Sequence, residues 1–211
     1  MSLPRSLSFL RQGTGGQILD IYLDPLCPYS AKITRSLTTN VLPLIKKGGK
    51  YEGKLSVVAR LYPQPFHYYG PFHIEALIVF GRLYPDLFWD YLTAIFETQT
   101  EYFNQPSATI TPSEARDKLT HLATDLLEKK HKVEGPKSKL FGEIRDKLEN
   151  KGSPNGGTEA TDDIKYLVKV GRQNGVHVTP TALLDGLKDD SVSSSWGKEE
   201  WEKWISEKVG A

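Results

Sequence analysis

The chain has 211 residues, enough for one domain with a substantial core or for a core domain carrying an insertion. Lys and Arg total 27 against 26 Asp and Glu, so no global charge points to nucleic acid or to a membrane surface. No apolar run approaches the roughly 18 residues of a membrane span, and the single cysteine rules out an internal disulfide and favours a reducing, cytoplasmic setting.

Residues 1–16 carry Arg5 and Arg11, several serines and no acid, and they lack a continuous apolar core. A secretory signal does not fit; a flexible tail is expected, with a short mitochondrial leader as the alternative. Gly13, Gly15 and Gly16 follow no predicted strand and so make a poor phosphate loop. Residues 18–23 then read as a short, mostly apolar strand. After it comes Asp24-Pro25-Leu26-Cys27-Pro28-Tyr29-Ser30, and apolar residues at Ile33, Leu37, Val41, Leu44 and Ile45 predict a helix over 31–47. Cys27 therefore sits where a strand hands over to a helix N-terminus. Pro28 suits the first helical turn, where its missing N–H would have no intrahelical partner. Free backbone N–H groups and the positive end of the helix dipole there favour thiolate over thiol, which makes Cys27 a candidate nucleophile.

A turn at 46–50 leads to a β-branched strand over 55–61. Strand, helix and strand over this length make a right-handed βαβ unit with parallel strands. The end of the second strand then shares an edge with Cys27, and the aromatic segment 62–70 starts beside it. Phe66 and His67 in that segment are candidates for the wall of a substrate groove, or for a lid over the core. A helix over 72–83 is interrupted at Tyr84-Pro85 and continues over 86–99 with an apolar stripe. Thr111-Pro112-Ser113-Glu114 has the pattern of a capping box, opening a helix to about residue 130 whose charges read as a solvated face. Gly135-Pro136 breaks it, a shorter helix spans 140–148, and 151–157 is the strongest loop signal.

Residues 161–173 predict a helix with Ile164, Leu167, Val168 and Val170 inward and Gly175 as its stop. A hairpin follows, with a strand at 181–184 and a turn at Asp185-Gly186. A last helix over 198–208 is expected to anchor to the sheet through Trp201, Trp204 and Ile205. His121, His131 and His177 have no metal-ligand spacing with another Cys or His, so no metal site is expected.

The strand, Cys-Pro-Tyr-Ser and helix of 18–47 resemble the active site of thioredoxin-fold proteins, where C-x-x-C or C-x-x-S opens the first helix. Thr179-Pro180 before an apolar strand resembles the cis-proline that such proteins carry opposite the active-site cysteine. With the long helical stretch between these motifs, the layout over 17–209 resembles the DsbA-like family and its relatives, the kappa-class glutathione transferases and 2-hydroxychromene-2-carboxylate isomerases. The resemblance implies an α/β fold: a thioredoxin-like core sheet built from 17–70 and 155–211, with a helical domain inserted over 71–154. It implies Cys27 as nucleophile, Ser30 as hydrogen-bond donor to its thiolate, and substrate contacts from Pro28, Tyr29, Phe66, His67, Thr179 and Pro180. Where dithiol members have a resolving cysteine this chain has Ser30, so a mixed disulfide at Cys27 needs an external thiol to clear it. The expected activity is monothiol thiol–disulfide exchange, with glutathione or a protein thiol as partner and no tightly bound cofactor. The alternatives are a glutathione-dependent transferase or isomerase of kappa-like type, or a non-enzymatic binding protein on the same fold.

Overall fold

A computed structural model describes residues 3–132 and 135–210; Met1 and Ser2 of the expected tail, Val133 and Glu134 of the expected insertion, and Ala211 of the expected core lie outside them. The sheet has five strands: β1 (Arg11–Gln12), β2 (Gln17–Leu23), β3 (Leu55–Leu61), β4 (Thr181–Leu184) and β5 (Leu187–Lys188). Their spatial order is β1-β3-β2-β4-β5. β2 and β3 run parallel, with Leu23 opposite Leu61, while β4 runs antiparallel to β2 with Thr181 opposite Tyr22. The ends of β2 and β3 and the start of β4 thus meet at one edge of the sheet.

Every residue of β3 is buried, as is β2 from Leu19 onward. Strands buried on both faces need cover on both. Leu19, Ile21 and Leu23 enter the main core, whereas Tyr22 joins Val176, Leu183 and Tyr62 in a smaller cluster. Asp20 lies on this otherwise apolar strand, and its Oδ1 is 2.7 Å from Arg60 Nε of β3, both side chains buried.

Helix α1 (Pro28–Asn40) is shorter than the 31–47 periodicity predicts. Val41 caps its end, and a separate turn, α2 (Leu42–Ile45), follows with Pro43 in its first turn. A proline there cannot donate to a continuing helix, so the chain restarts. α3 (Gly70–Leu83) is buried from His73 to Gly81, as expected for a helix apolar on most sides. A 3-10 turn at Pro85–Leu87 separates it from α4 (Phe88–Thr98), and a second one, Gln99–Tyr102, ends that segment.

Helix α5 (Pro112–Lys129) opens on the Thr111–Glu114 capping box, with both reciprocal bonds formed. Its charges are not all solvated: Arg116 is buried, with Nε and Nη2 3.0 and 2.9 Å from Glu75 Oε2 on α3. α6 (Lys137–Lys147) and α7 (Thr161–Gln173) follow. Gly175 adopts φ +62 just past α7, the left-handed conformation that ends helices. Asp185 and Gly186, both at positive φ, form the tight turn between β4 and β5.

The last helix, α8 (Lys198–Lys208), buries Trp201, Trp204 and Ile205. Its main packing is on α1 and not on the sheet as expected, and Trp201 Nε1 donates to Ser36 Oγ there at 2.9 Å. The expected tail is also revised. Arg5–Leu10 form a 3-10 segment that buries Leu7, Phe9 and Leu10, and β1 pairs antiparallel with β3. Phe9 stacks 5.1 Å from Phe88 and lies against Gly81, where any side chain would collide with its ring. Apolar burial of this kind is what holds an end segment down.

Candidate active site at the sheet edge

Cys27 is the residue that caps α1, with extended φ −82 and ψ 121, while Pro28 takes the first helical position. Its carbonyl accepts Ala31 N–H at 3.1 Å and its own N–H donates to Asp24 O at 3.0 Å. The side chain does not cap the helix. It faces across the edge to β4, where the Thr179–Pro180 peptide bond is cis, and Sγ lies 3.2 Å from the Thr179 carbonyl oxygen. The sulfur is thus a thiol donor to that carbonyl. Cys27 is 6 % exposed and is flanked by side chains that are much more open: Tyr29 at 64 % and Val178 at 63 %.

Ser30 lies one turn into α1 and is fully buried. The bond the structure gives it is from the Asp24 N–H, which donates to Oγ at 3.2 Å; the Cys27 sulfur has the Thr179 carbonyl as its partner. The serine therefore holds the turn before the helix. Pro180 is half-buried and Thr179 buried, the latter with an Oγ1 that has no partner among the described residues.

Asp24 is the residue sequence reasoning left without a role. It is fully buried. Oδ1 accepts Leu26 N–H at 2.8 Å, and Oδ2 accepts Gln64 N–H at 2.6 Å and meets His67 Nδ1 at 2.8 Å. One carboxylate so ties the Cys27 turn to the segment after β3 and satisfies amide donors that burial would otherwise leave bare. A second missed contact comes from the helical segment: Gln99 Nε2 donates to Pro25 O at 2.9 Å and approaches Cys27 O at 3.5 Å. An acid between an apolar strand and a helix start was a visible signal for Asp24; nothing local marks Gln99.

The aromatic segment after β3 forms one side of a groove of about 710 Å³, with Phe66 and His67 among its lining residues and Phe66 largely exposed. The other side comes from the end of α7 and the chain leading to β4, including Val168, which turns to the groove and not to the core. His73 stands apart, buried in α3 with Nδ1 2.7 Å from Tyr69 O, and burial pushes its pKa down to about 4. Among the described residues no group of three or more His, Cys, Asp or Glu could hold a metal, and no helix is long and apolar enough to cross a membrane.

A sheet of this order, with a thiol at the start of α1 opposite a cis-proline and helices inserted after β3, defines a thioredoxin-like fold of the DsbA type. Solved structures share the fold. A candidate protein-disulfide isomerase from Pseudomonas syringae superposes with a TM-score of 0.70 at 21% identity, over 95% of this chain and 99% of that one. BdbD from Bacillus subtilis matches with a TM-score of 0.63 at 15% identity, over 96% of this chain and 93% of its own. Oxidized DsbA from Mycobacterium tuberculosis matches with 0.61 at 15% identity, again over 96% and 93%. No family model matches the sequence, and no curated protein matches it.

Proposed function

We propose that the chain is a monothiol thiol–disulfide oxidoreductase of DsbA-like type, acting through Cys27 with glutathione or a protein thiol as partner. The observation that carries this is the Cys27 sulfur at the start of α1, 3.2 Å from the carbonyl that precedes Pro180 and beside exposed side chains. The neighbours described as thiol–disulfide oxidoreductases on this fold add support. In the forward step the Cys27 thiolate attacks one sulfur of a disulfide, the S–S bond breaks, and the departing thiolate takes a proton from water. The product is a mixed disulfide on Cys27. The sequence holds no second cysteine, so an external thiolate attacks the substrate sulfur and Cys27 leaves as thiolate. Tyr29, Phe66 and Val178 supply an apolar surface for the incoming chain. Dependence on an outside thiol fits a thiol-rich compartment such as the cytoplasm.

The test is mass spectrometry after incubation with oxidised glutathione. One adduct on Cys27, removed by reduced thiol and absent in Cys27→Ser, is expected. A native protein that stays unmodified while the urea-unfolded chain reacts would overturn the redox reading. With Ser30 where a resolving cysteine would stand, the second reading is a kappa-like site that binds glutathione without a covalent bond; tight binding with no adduct would select it.

A further inference from the structure

We propose that the groove beside Cys27 selects thiol partners that carry a carboxylate, through Arg172 with His67 and His177. The inference rests on the reading of Cys27 as a thiol–disulfide centre and adds the class of thiol that clears it.

Both sides of the groove lead into the site. On one side, Gln64 and His67 are held by Asp24, whose carbonyl accepts the Cys27 N–H. On the other, His177 lies just before Val178 and the Thr179 carbonyl that faces the sulfur. Cys27, Thr179 and Pro180 do not themselves line the groove, which adjoins their site through these two segments.

The charge of the lining is one-sided. Among the described residues no acid lines the groove, while Arg172, His67 and His177 do. This bias is local, because the chain as a whole has a formal net charge of only +1. Arg172 is exposed, in the last turn of α7, where a cation suits the helix dipole. The residues three and four positions away on either side are Val168, Lys169, Gly175 and Val176, so no carboxylate on its own helix claims the guanidinium. His67 turns Nδ1 to Asp24, which leaves Nε2 as the nitrogen available to a ligand. Asp24 is the acid bonded to His67, and its oxygens are committed to two amides and that imidazole. Tyr62, Pro65 and Phe66 give the groove an apolar side. A volume of about 710 Å³ suits a peptide of a few residues. A guanidinium is also the side chain whose fork matches a carboxylate.

The experiment starts from protein carrying 2-mercaptoethanol as a mixed disulfide on Cys27. Its release is followed with three peptide thiols, acetyl-Cys-Gly-X-amide with X as Glu, Gln or Lys, so that the thiol itself is constant. At low salt the order Glu over Gln over Lys is expected, with a spread of about fivefold from Glu to Lys, the range of a solvent-accessible ion pair. Arg172→Gln should bring the Glu peptide down to the rate of the Gln peptide, and Arg172→Lys should restore the order. Circular dichroism confirms that these surface variants stay folded. Failure to form the starting mixed disulfide would refute the redox reading itself. If that disulfide forms, equal rates for the three peptides, or an order that Arg172→Gln leaves intact, would overturn the selectivity.

Discussion

Replacing Asp24 by Ala tests the clamp under the site. The carboxylate is fully buried and accepts two amide donors, from Leu26 and Gln64, besides the His67 imidazole. Alanine leaves both amides without an acceptor in a place water does not reach. Each bare buried donor costs about 1–3 kcal/mol, so the variant should lose about 2–6 kcal/mol. The half-buried imidazole can turn to water and adds little. A domain stable by about 5–15 kcal/mol would survive at the upper end and be marginal at the lower. Asp24→Asn keeps one acceptor oxygen and sets an NH2 group against the other amide, so it should fall between Ala and the parent. Urea unfolding followed by tryptophan fluorescence reads the loss, with the m-value checking that the transition stays two-state. Iodoacetamide labelling of Cys27 under native conditions should change in the same variants, because the clamp sets the turn that carries the sulfur. A loss below about 1 kcal/mol for Asp24→Ala, with an unchanged m-value, would show that the carboxylate is not what holds this turn.

Arg116→Met should cost about 3–5 kcal/mol, since it leaves Glu75 as a buried charge without its partner. Burial raises the Glu75 pKa above 4.5 even with Arg116 present, so the folded state binds the proton more tightly. This group's stabilising effect is full below 4.5 and lost as pH rises through the folded value; the variant should extend that loss to higher pH in urea titrations at stepped pH. His73 has the opposite sign: its folded pKa is lowered to about 4, so stability present above 6.5 is lost as pH falls through about 4. His73→Phe should flatten this acid limb, worth about 3 kcal/mol, in the same titration. Gly81→Ala forces a methyl into the Phe9 ring and should cost about 1–3 kcal/mol, with limited proteolysis showing earlier cleavage among residues 3–12.

Much of the fold was legible because its signals are local. Thr111 and Glu114 announce a helix within four residues, and Asp185-Gly186 announces a hairpin turn, each through one backbone requirement. The meeting of Cys27 with Thr179 was expected only from the resemblance of Cys27–Ser30 and Thr179-Pro180 to thioredoxin-fold proteins. In the structure β4 runs antiparallel to β2, which brings the two to one edge. What could not be read depends on partners far away in the chain. Arg116 looks like a solvated charge until Glu75, 41 residues off, is seen beside it. Leu7, Phe9 and Leu10 follow neither helical nor strand period, because their conformation answers to Phe88 and Gly81. Asp24 was visible as an acid between a strand and a helix start, but its partners were not, since Gln64 and His67 lie after β3. The bond from the Asp24 amide to Ser30 could not be read either, because the spacing of Ser30 from Cys27 says nothing of which way Oγ turns.

The short pairing of Arg11 and Gln12 with Val57 and Val58 has a consequence for how the protein behaves when handled. Without it, β3 would be the outermost strand, seven buried and mostly apolar residues with a row of bare amides and carbonyls along one side. Such a margin recruits strands from other molecules. Trimming the chain to residue 17, where the motif-bearing part begins, would therefore leave the thiol site in place and yield a sticky protein. A truncated sample should precipitate or oligomerise at concentrations where the full chain stays monodisperse, and a bulky group fused close to Arg11 should do the same.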